Sequence, residues 1–546
     1  MKRRNFLLPS GNKASVNAAQ RGHTDYVAPE FAMRTDAGLE PWSPSGNDIW
    51  DMQKAGHLLR RCMVGAKPSE IKQAFTDGLE ATLQKLFTMY TPPVADITEI
   101  AGKEPQIRPE SNDAATVQAW QTMVNKHQDM LRRWYAKTIA TAPVSLQDKL
   151  VYLWANHFTS EMQSVNFAQF MHTQNALIRK DVLGDFKKFV YDITIDPAML
   201  IYLDGRKNYV VAKRNQINEN YARELMELFT CGVYDWDGKP NYSQEDVSQA
   251  ARGLTGWDIA PSQQGNLYSS LVANFNQQRW DSGDKTLMGK TGKWNTQDIV
   301  NIIFSERADI IAKYICIKIY REFVYDMPDK VIVEQMAKTF IDNNWQIKPV
   351  IEQLLRSKHF FAVENIGAKH KSPVDYFIGL VRSLNLTNVV DFDFARVGRQ
   401  TQFLLSMLNT QGQILFDPPN VKGWDGGRTW TSTSTLPQRQ KWMLDIMDEK
   451  ITAGMGNQRQ VVFKFDAIAF AKQFSDPNDI EKLTREISEF LLPVPPTEAE
   501  YKVLYETILD GGKPYEWKID DVAQRPDTRL RKLLKAIAQL AKFQLT

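Results

Sequence analysis

Cysteine is scarce in this chain of 546 residues: there are three, Cys62, Cys231 and Cys316, far apart in sequence. No two are spaced as paired thiolate ligands, which excludes a zinc site of that kind, and no disulfide framework is expected. Cys316 lies in an apolar stretch and reads as a small core residue. No run of 18 apolar residues occurs, so no transmembrane helix is expected. Net charge is nearly absent as well. The 67 Lys and Arg against 64 Asp and Glu leave +3, which gives no reason to expect nucleic acid or an anionic membrane surface as partner. The common catalytic signatures are also missing. There is no Gly-x-x-x-x-Gly-Lys phosphate loop, no Gly-x-Ser-x-Gly elbow and no His-Glu-x-x-His helix. Their absence argues against nucleotide hydrolysis, elbow-type esterase action and zincin proteolysis.

What is present is an ordinary globular composition, 43% hydrophobic and 24% charged, which excludes disorder throughout. The periodicities predict a mainly α fold, a multi-helix globular assembly with a small β insertion around 258–295. Residues 1–47 read as an extended N-terminal arm, 48–446 as a helical core, and 447–546 as a C-terminal helical region packed on it. Two amphipathic helices are expected between about 48 and 90, broken at Gly65-Ala66-Lys67-Pro68-Ser69 with Ser69 as a possible cap. Trp120, Val124, His127, Leu131 and Trp134 recur at three- and four-residue steps, one face of a long helix. Leu146, Leu150, Trp154 and His157 repeat the pattern behind Ser145 as cap. Further helices are expected near 165–192, 218–232, 243–255, 297–325, 330–342, 347–356, 373–384, 434–449 and 528–545. In the insertion, Leu267, Leu271, Ala273 and Phe275 fall on alternating positions between turn residues, as short strands would. The 411–435 stretch is a Gly/Pro/Trp loop too long to be a simple connector.

The N-terminus opens Lys2-Arg3-Arg4-Asn5-Phe6-Leu7, similar to a twin-arginine export signal. Pro9, Ser10, Gly11, Asn12 and Lys13 then stand where its apolar stretch should follow. The favoured reading is a basic N-terminus and a cytoplasmic location, with the periplasm or cell surface, reached through a partner, as the alternative.

Several motifs occur in a fixed order. Ala55-Gly56-His57-Leu58-Leu59-Arg60-Arg61 comes first, then Trp154-Ala155-Asn156-His157-Phe158 and Asp196-Pro197-Ala198-Met199-Leu200. Asn218 to Thr230 (NENYARELMELFT), Ala250 to Trp257 (AARGLTGW), Lys371-Ser372-Pro373-Val374-Asp375 and Pro418 to Gly427 (PPNVKGWDGG) follow. On these the chain resembles the bacterial family known as domain of unknown function 1800, over about residues 48 to 546. That family name implies no activity. Its members are typically encoded beside a sulfatase-like family, domain of unknown function 1501, so the resemblance implies a sulfatase-like protein partner and a place at the cell envelope. One departure stands out. Where the family commonly has His-Asp before a Lys-Thr-Phe-Leu-Gly stretch, this chain has Trp280-Asp281 before Lys285-Thr286-Leu287-Met288-Gly289.

The candidate chemistry lies on these motifs. On a helical wheel Tyr221, Leu225, Leu228 and Phe229 face inward, with Asn220, Glu224, Glu227 and Cys231 along one edge. Glu224 and Glu227 have the i, i+3 spacing of helical metal sites. The competing reading is a Glu219–Arg223–Glu227 ladder, with Glu224 satisfying a neighbouring helix. His157 continues a buried stripe, either as a packed, hydrogen-bonded side chain or as a base near the two glutamates; Asn156 points too far round the helix to serve it. His57 and His127 are weaker candidates among seven histidines. Arg252, on a helix capped by Ser243 and Asp246, could clamp an anion or tie its helix to Glu224 or Glu227. Trp424 and Trp430, beside the hydroxyl-rich run 429–435, could stack sugar rings, or be core. Asp235, Asp237 and Asn241 around Gly238 depart from the calcium-loop spacing and read as a turn. No cofactor and no metal is assigned.

Two functions compete on this basis. One is a helical scaffold or binding protein acting with a sulfatase-like partner at the envelope. The other is a metal- or carboxylate-dependent enzyme acting on a glycan or envelope polymer through His157, Glu224, Glu227 and Arg252.

Overall fold

The computed structural model describes residues 29–546, apart from 111–112, 212–213, 260–267, 269, 387–398 and 454–459. The twin-arginine-like stretch and Leu267 therefore lie outside the described residues. The fold is mainly α-helical with a small β component. The β component among the described residues is four two-stranded antiparallel ladders. Two fall in the expected insertion: Trp257–Asp258 with Asn274–Phe275, and Lys285–Leu287 with Lys290–Gly292. No described helix is long and apolar enough to cross a membrane.

Local chemistry explains most helix boundaries. Met52–Cys62 starts at Asp51, whose carboxylate accepts from the Lys54 amide at 2.8 Å. The next helix, Pro68–Leu86, begins at its proline, so Ser69 lies inside it. The start is closed instead by Glu70, which accepts from the Lys67 amide at 2.8 Å. Ala114–Thr141 buries the whole predicted stripe, Trp120, Val124, His127, Leu131 and Trp134. The N-cap of Gln147–His157 is Leu146 and not the expected Ser145, which lies one residue earlier and accepts from the Gln147 amide at 3.2 Å. Ser243 and Asp246 form the expected reciprocal box at the head of Gln244–Gly253. Near the C-terminus, Ile480–Leu491 and Glu498–Leu509 join Pro526–Gln539, where Leu530, Leu533, Leu534 and Ile537 are buried.

Two motif helices depart from α geometry. Asn220–Glu224 is α-helical, but Leu225–Thr230 is a π turn. Behind Pro373, Val374–Ile378 is another, continuing as the α-helical Gly379–Ser383. Single π turns of this kind concentrate at functional sites. The described part of the N-terminal arm, from residue 29, has no helix or ladder before Met52 but is tied to the body by backbone hydrogen bonds. Ala32 donates to the Pro328 carbonyl at 3.0 Å, and Trp42 to that of Arg356 at 2.7 Å.

Candidate functional site

His157 ends the Gln147–His157 helix with its ring 3% exposed. The motif around it makes its own box. Phe158 lies 4.4 Å away ring to ring, Trp154 5.7 Å, Phe186 5.9 Å and Phe229 6.0 Å. Nε2 is 3.1 Å from the Phe229 carbonyl oxygen, which can only accept, so the proton resides on Nε2. Nδ1 is left with a lone pair, and Lys318 Nζ stands 2.8 Å from it. Burial, with the Lys318 ammonium second, holds the imidazole well below its ordinary pKa. Lys318 is itself pushed down to about 7 by burial, with Arg321 one turn on adding to the effect. The face of the Tyr314 ring, 4.7 Å from Nζ, favours the ammonium, but burial outweighs it.

The π turn makes this possible. Its wider winding pairs the Cys231 amide with the Met226 carbonyl at 2.9 Å, and Thr230 Oγ1 with the Leu225 carbonyl at 2.6 Å. The carbonyls of Leu228 and Phe229 then accept from outside the helix. Phe229 serves His157; Leu228 serves the Tyr314 hydroxyl at 3.1 Å and Lys318 Nζ at 3.4 Å.

His157, Lys318 and Lys422 line two adjoining cavities, of about 720 and 640 Å³, and so form the waist of one two-lobed cleft. The first lobe carries Glu227, Asp309, Lys330, Tyr314 and Trp236. The second carries Tyr152, Arg321, Glu322, Asp375, Trp424 and Arg428. Pro29 lines the first lobe and Glu30 the second, so the start of the described chain crosses the cleft. A separate cavity beside Arg60 and Lys371 holds about 50 Å³, room for a few waters.

The 418–427 loop is fixed by Asn156. Its Oδ1 accepts from the Trp424 amide at 2.8 Å, and its Nδ2 donates to the Trp424 carbonyl at 3.2 Å. Gly423 between them has φ +83°, and a Cβ there would lie 2.6 Å from the Asn156 carbonyl oxygen and closer still to Oδ1. The glycine is therefore needed for conformation and for space. Trp424 is half-buried, its ring stacked on Tyr152 at 6.2 Å and 18°, and it lines the second lobe. Trp430 is 7% exposed and contributes an edge to the same lobe.

Beneath the second lobe lies an ionic floor. Lys149 Nζ is 2.6 Å from Asp375 Oδ1 and 3.2 Å from Glu322 Oε1, and Lys369 Nζ is 3.0 Å from Glu322 Oε2. Asp375 also accepts from Ser372 Oγ at 2.8 Å. Burial alone would raise the Asp375 carboxyl, but the two lysines and Ser372 together hold it below its ordinary value.

Of the sequence-derived residues, the cleft brings together His157, Glu227, Cys231, Asp235 and Asp237 with Trp424 and Trp430. Glu224 is 6% exposed and is not part of the lining. The Glu219–Arg223 rung is present at 3.2 Å, with Gln244 on the same guanidinium at 2.9 Å, but Glu227 is not on the ladder. Arg252 reaches neither glutamate. It bonds Asp281 through Nε at 2.7 Å and Nη2 at 3.2 Å, because its helix packs on the Lys285–Leu287 strand. The neighbouring Lys285 ammonium lies 4.8 Å from the Trp280 ring centroid. The Trp280-Asp281 departure thus belongs to the fastening of this hairpin. His57 bonds the Phe360 carbonyl at 3.1 Å, and His127 faces Gln169 at 3.2 Å; both are away from the cleft. Asp235 accepts from the Asp237 and Lys239 amides at 3.0 and 2.8 Å, an ordinary turn. Among the described residues no three of His, Cys, Asp and Glu are grouped as a metal ion would need.

Sequence reasoning missed Lys318, Lys422 and the ionic floor. The one available signal was Lys318 itself, a lysine between Ile317 and Ile319 in the apolar run Tyr314 to Tyr320 of the helix Ala308–Phe323.

Fold and site together define a mainly helical protein built around a two-lobed cleft that four of its ordered motifs line, those at 154–158, 218–230, 371–375 and 418–427. Residues 57–545 match the family described as "Protein of unknown function (DUF1800)", and the chain belongs to that family. No curated protein and no solved structure matches the chain.

Proposed function

We propose that this protein is a binding protein whose two-lobed cleft holds a glycan or related envelope polymer for a sulfatase-like partner. The observation that carries the reading is the wall of the second lobe. An aromatic face, Trp424 backed by Tyr152, stands beside the charged groups Arg321, Asp326 and Arg428 in one open groove. Sugars stack their apolar faces on such rings and hydrogen-bond at their edges. The combined size of the lobes suits several sugar units better than one small molecule, since drug-sized sites run to about 300–1,000 Å³. The partner rests on family resemblance alone. The competing enzyme reading has His157 and Glu227 in the cleft but not Glu224 or Arg252, and is placed second for that reason.

Isothermal titration with neutral and uronate-containing oligosaccharides tests the ligand, and purification of the native protein from its own cells tests the partner. Trp424→Ala should weaken oligosaccharide binding about tenfold, the equivalent of about 1.4 kcal/mol. Trp430→Phe should change it little. Absence of binding by either oligosaccharide class, or equal binding by Trp424→Ala, overturns the ligand assignment.

A further inference from the structure

Lys318, on the Ala308–Phe323 helix, is held without a carboxylate. It makes no ion pair among the described residues, and its hydrogen-bonding neighbours are two acceptors, His157 Nδ1 at 2.8 Å and the Leu228 carbonyl at 3.4 Å. A lysine that ends among apolar side chains normally finds a carboxylate, as Lys149 does here with Asp375 at 2.6 Å. Lys318 instead stands at the waist, lining both lobes of an open cleft.

We propose that Lys318 is an amine nucleophile that captures a small aldehyde or ketone, α-oxo acids included, as an imine. The geometry supplies what the reaction needs. With Nε2–H committed to Phe229, the imidazole presents a lone pair at Nδ1 and holds one N–H of the amine. The nitrogen lone pair is then directed elsewhere, and the open directions are those of the cleft. In the addition, the N–C bond forms as the carbonyl π pair moves to oxygen. Nitrogen loses a proton, for which His157 Nδ1 is the adjacent acceptor, and the oxygen gains one from solvent. In the second stage the C–O bond breaks as the nitrogen pair completes C=N. The oxygen takes back the proton held on His157 Nδ1 and leaves as water, so the product is the protonated imine and one solvent proton is consumed overall. No oxidant or reductant is consumed. Burial keeps a substantial fraction of Lys318 uncharged near neutrality, the state in which an amine attacks. The charged and titratable groups nearest it are His157, Tyr314 and Arg321, and Lys422 shares the waist. Glu227, Cys231, Asp235, Asp237, Asp309, Lys313, Lys330 and Glu334 line the first lobe, and Glu322, Asp326, Lys369, Asp375 and Arg428 the second. Lys422 at the waist and Arg321 in the second lobe favour a carbonyl compound that also bears an anionic group.

The inference is independent of the glycan reading, because it requires only the waist. The test is reductive trapping of the full-length protein at pH 7 with glycolaldehyde and cyanoborohydride, read by peptide mass spectrometry. An exposed lysine with a pKa of about 10.4 is less than about 0.1% uncharged at this pH. Lys318 should therefore be labelled at least about tenfold faster than the exposed Lys422, with a rate that rises around pH 7 and then levels. Lys318→Met should abolish that fast phase while leaving slow surface labelling unchanged. Labelling of Lys422 and other surface lysines ahead of Lys318 overturns the proposal. So does a Lys318 rate that climbs steadily to pH 10, or no label at Lys318. The wild-type experiment decides the matter even if the variant fails to fold.

Discussion

Replacing Lys149 by methionine probes the floor of the cleft. The lysine side chain is 3% exposed, and its two carboxylate partners, Asp375 and Glu322, are each 11% exposed. With Lys369 the cluster holds two ammonium and two carboxylate groups and is neutral as a whole. Methionine keeps most of the apolar stem but withdraws one positive charge, leaving a net negative charge where water has little access. Removing one member of a buried pair costs about 3–5 kcal/mol, whereas an exposed pair is worth about 0–1 kcal/mol. The second lobe lets some solvent reach Asp375, so the lower end, about 3 kcal/mol, is expected. Unfolding entropy of about 2.1 cal/mol/K per residue gives roughly 1.1 kcal/mol/K for the chain if it melts as one unit. The loss then becomes a fall of about 3 °C in Tm. Asp375→Asn alone should cost a similar amount. The double variant restores neutrality and should cost less than the sum of the singles by at least about 1 kcal/mol. The pH dependence follows from the direction of the Asp375 shift. Its folded pKa is depressed, so its stabilisation is present above the ordinary aspartate value of about 3.9 and is lost as pH falls through the lower folded value. The difference between wild type and Lys149→Met should accordingly be flat near neutrality and shrink below about pH 4. Scanning calorimetry measures all of this. A Tm loss under about 1 °C, or additive singles, would refute the reasoning, because the cluster would then be behaving as a solvated surface network.

Other perturbations test other parts of the structure. Gly423→Ala should displace Asn156 and release Trp424, lowering Tm and shifting the tryptophan emission to the red. Gly426→Ala has a comparable φ of +78° with an extended ψ of −167° but open space around it, so it should show only the backbone strain of about 1–3 kcal/mol. Equal effects of the two variants would remove Asn156 as the anchor of the loop. Arg252→Gln cuts the paired bonds to Asp281 and should expose the 281–292 hairpin to limited proteolysis about tenfold faster, with little change in global Tm. Unchanged cleavage would mean that packing alone holds the hairpin. His57 and His157 have folded pKa values well below the ordinary one, chiefly through burial, and remain neutral where the unfolded chain is protonated. The unfolded state then binds more protons, so stability should decline as pH falls below about 6.5. His157→Gln should flatten part of that decline, and a Tm constant from pH 7.5 to 5 would show that these rings take up protons without unfolding.

The sequence by itself determined the helices, because their causes are local. The stripe from Trp120 to Trp134 and the Ser243–Asp246 box are set by neighbours three or four residues away, and each is where the periodicity put it. It also marked the motifs that converge on the cleft, including the Trp424 loop. What the sequence could not give is their meeting. A wheel drawn at α spacing places Glu224 and Glu227 on one edge, but the π turn from Leu225 changes the winding, and Glu227 lines the cleft while Glu224 is buried. Arg252 chose Asp281 over the nearer motif glutamates because a hairpin packs against its helix. The decisive contacts are long-range: Lys318 meets His157 across 161 positions, and Lys149 meets Asp375 across 226. No periodicity reaches so far. Those pairs were decided only when packing excluded water from around them, since a buried amine or carboxylate must take whichever partner the folded chain brings within reach.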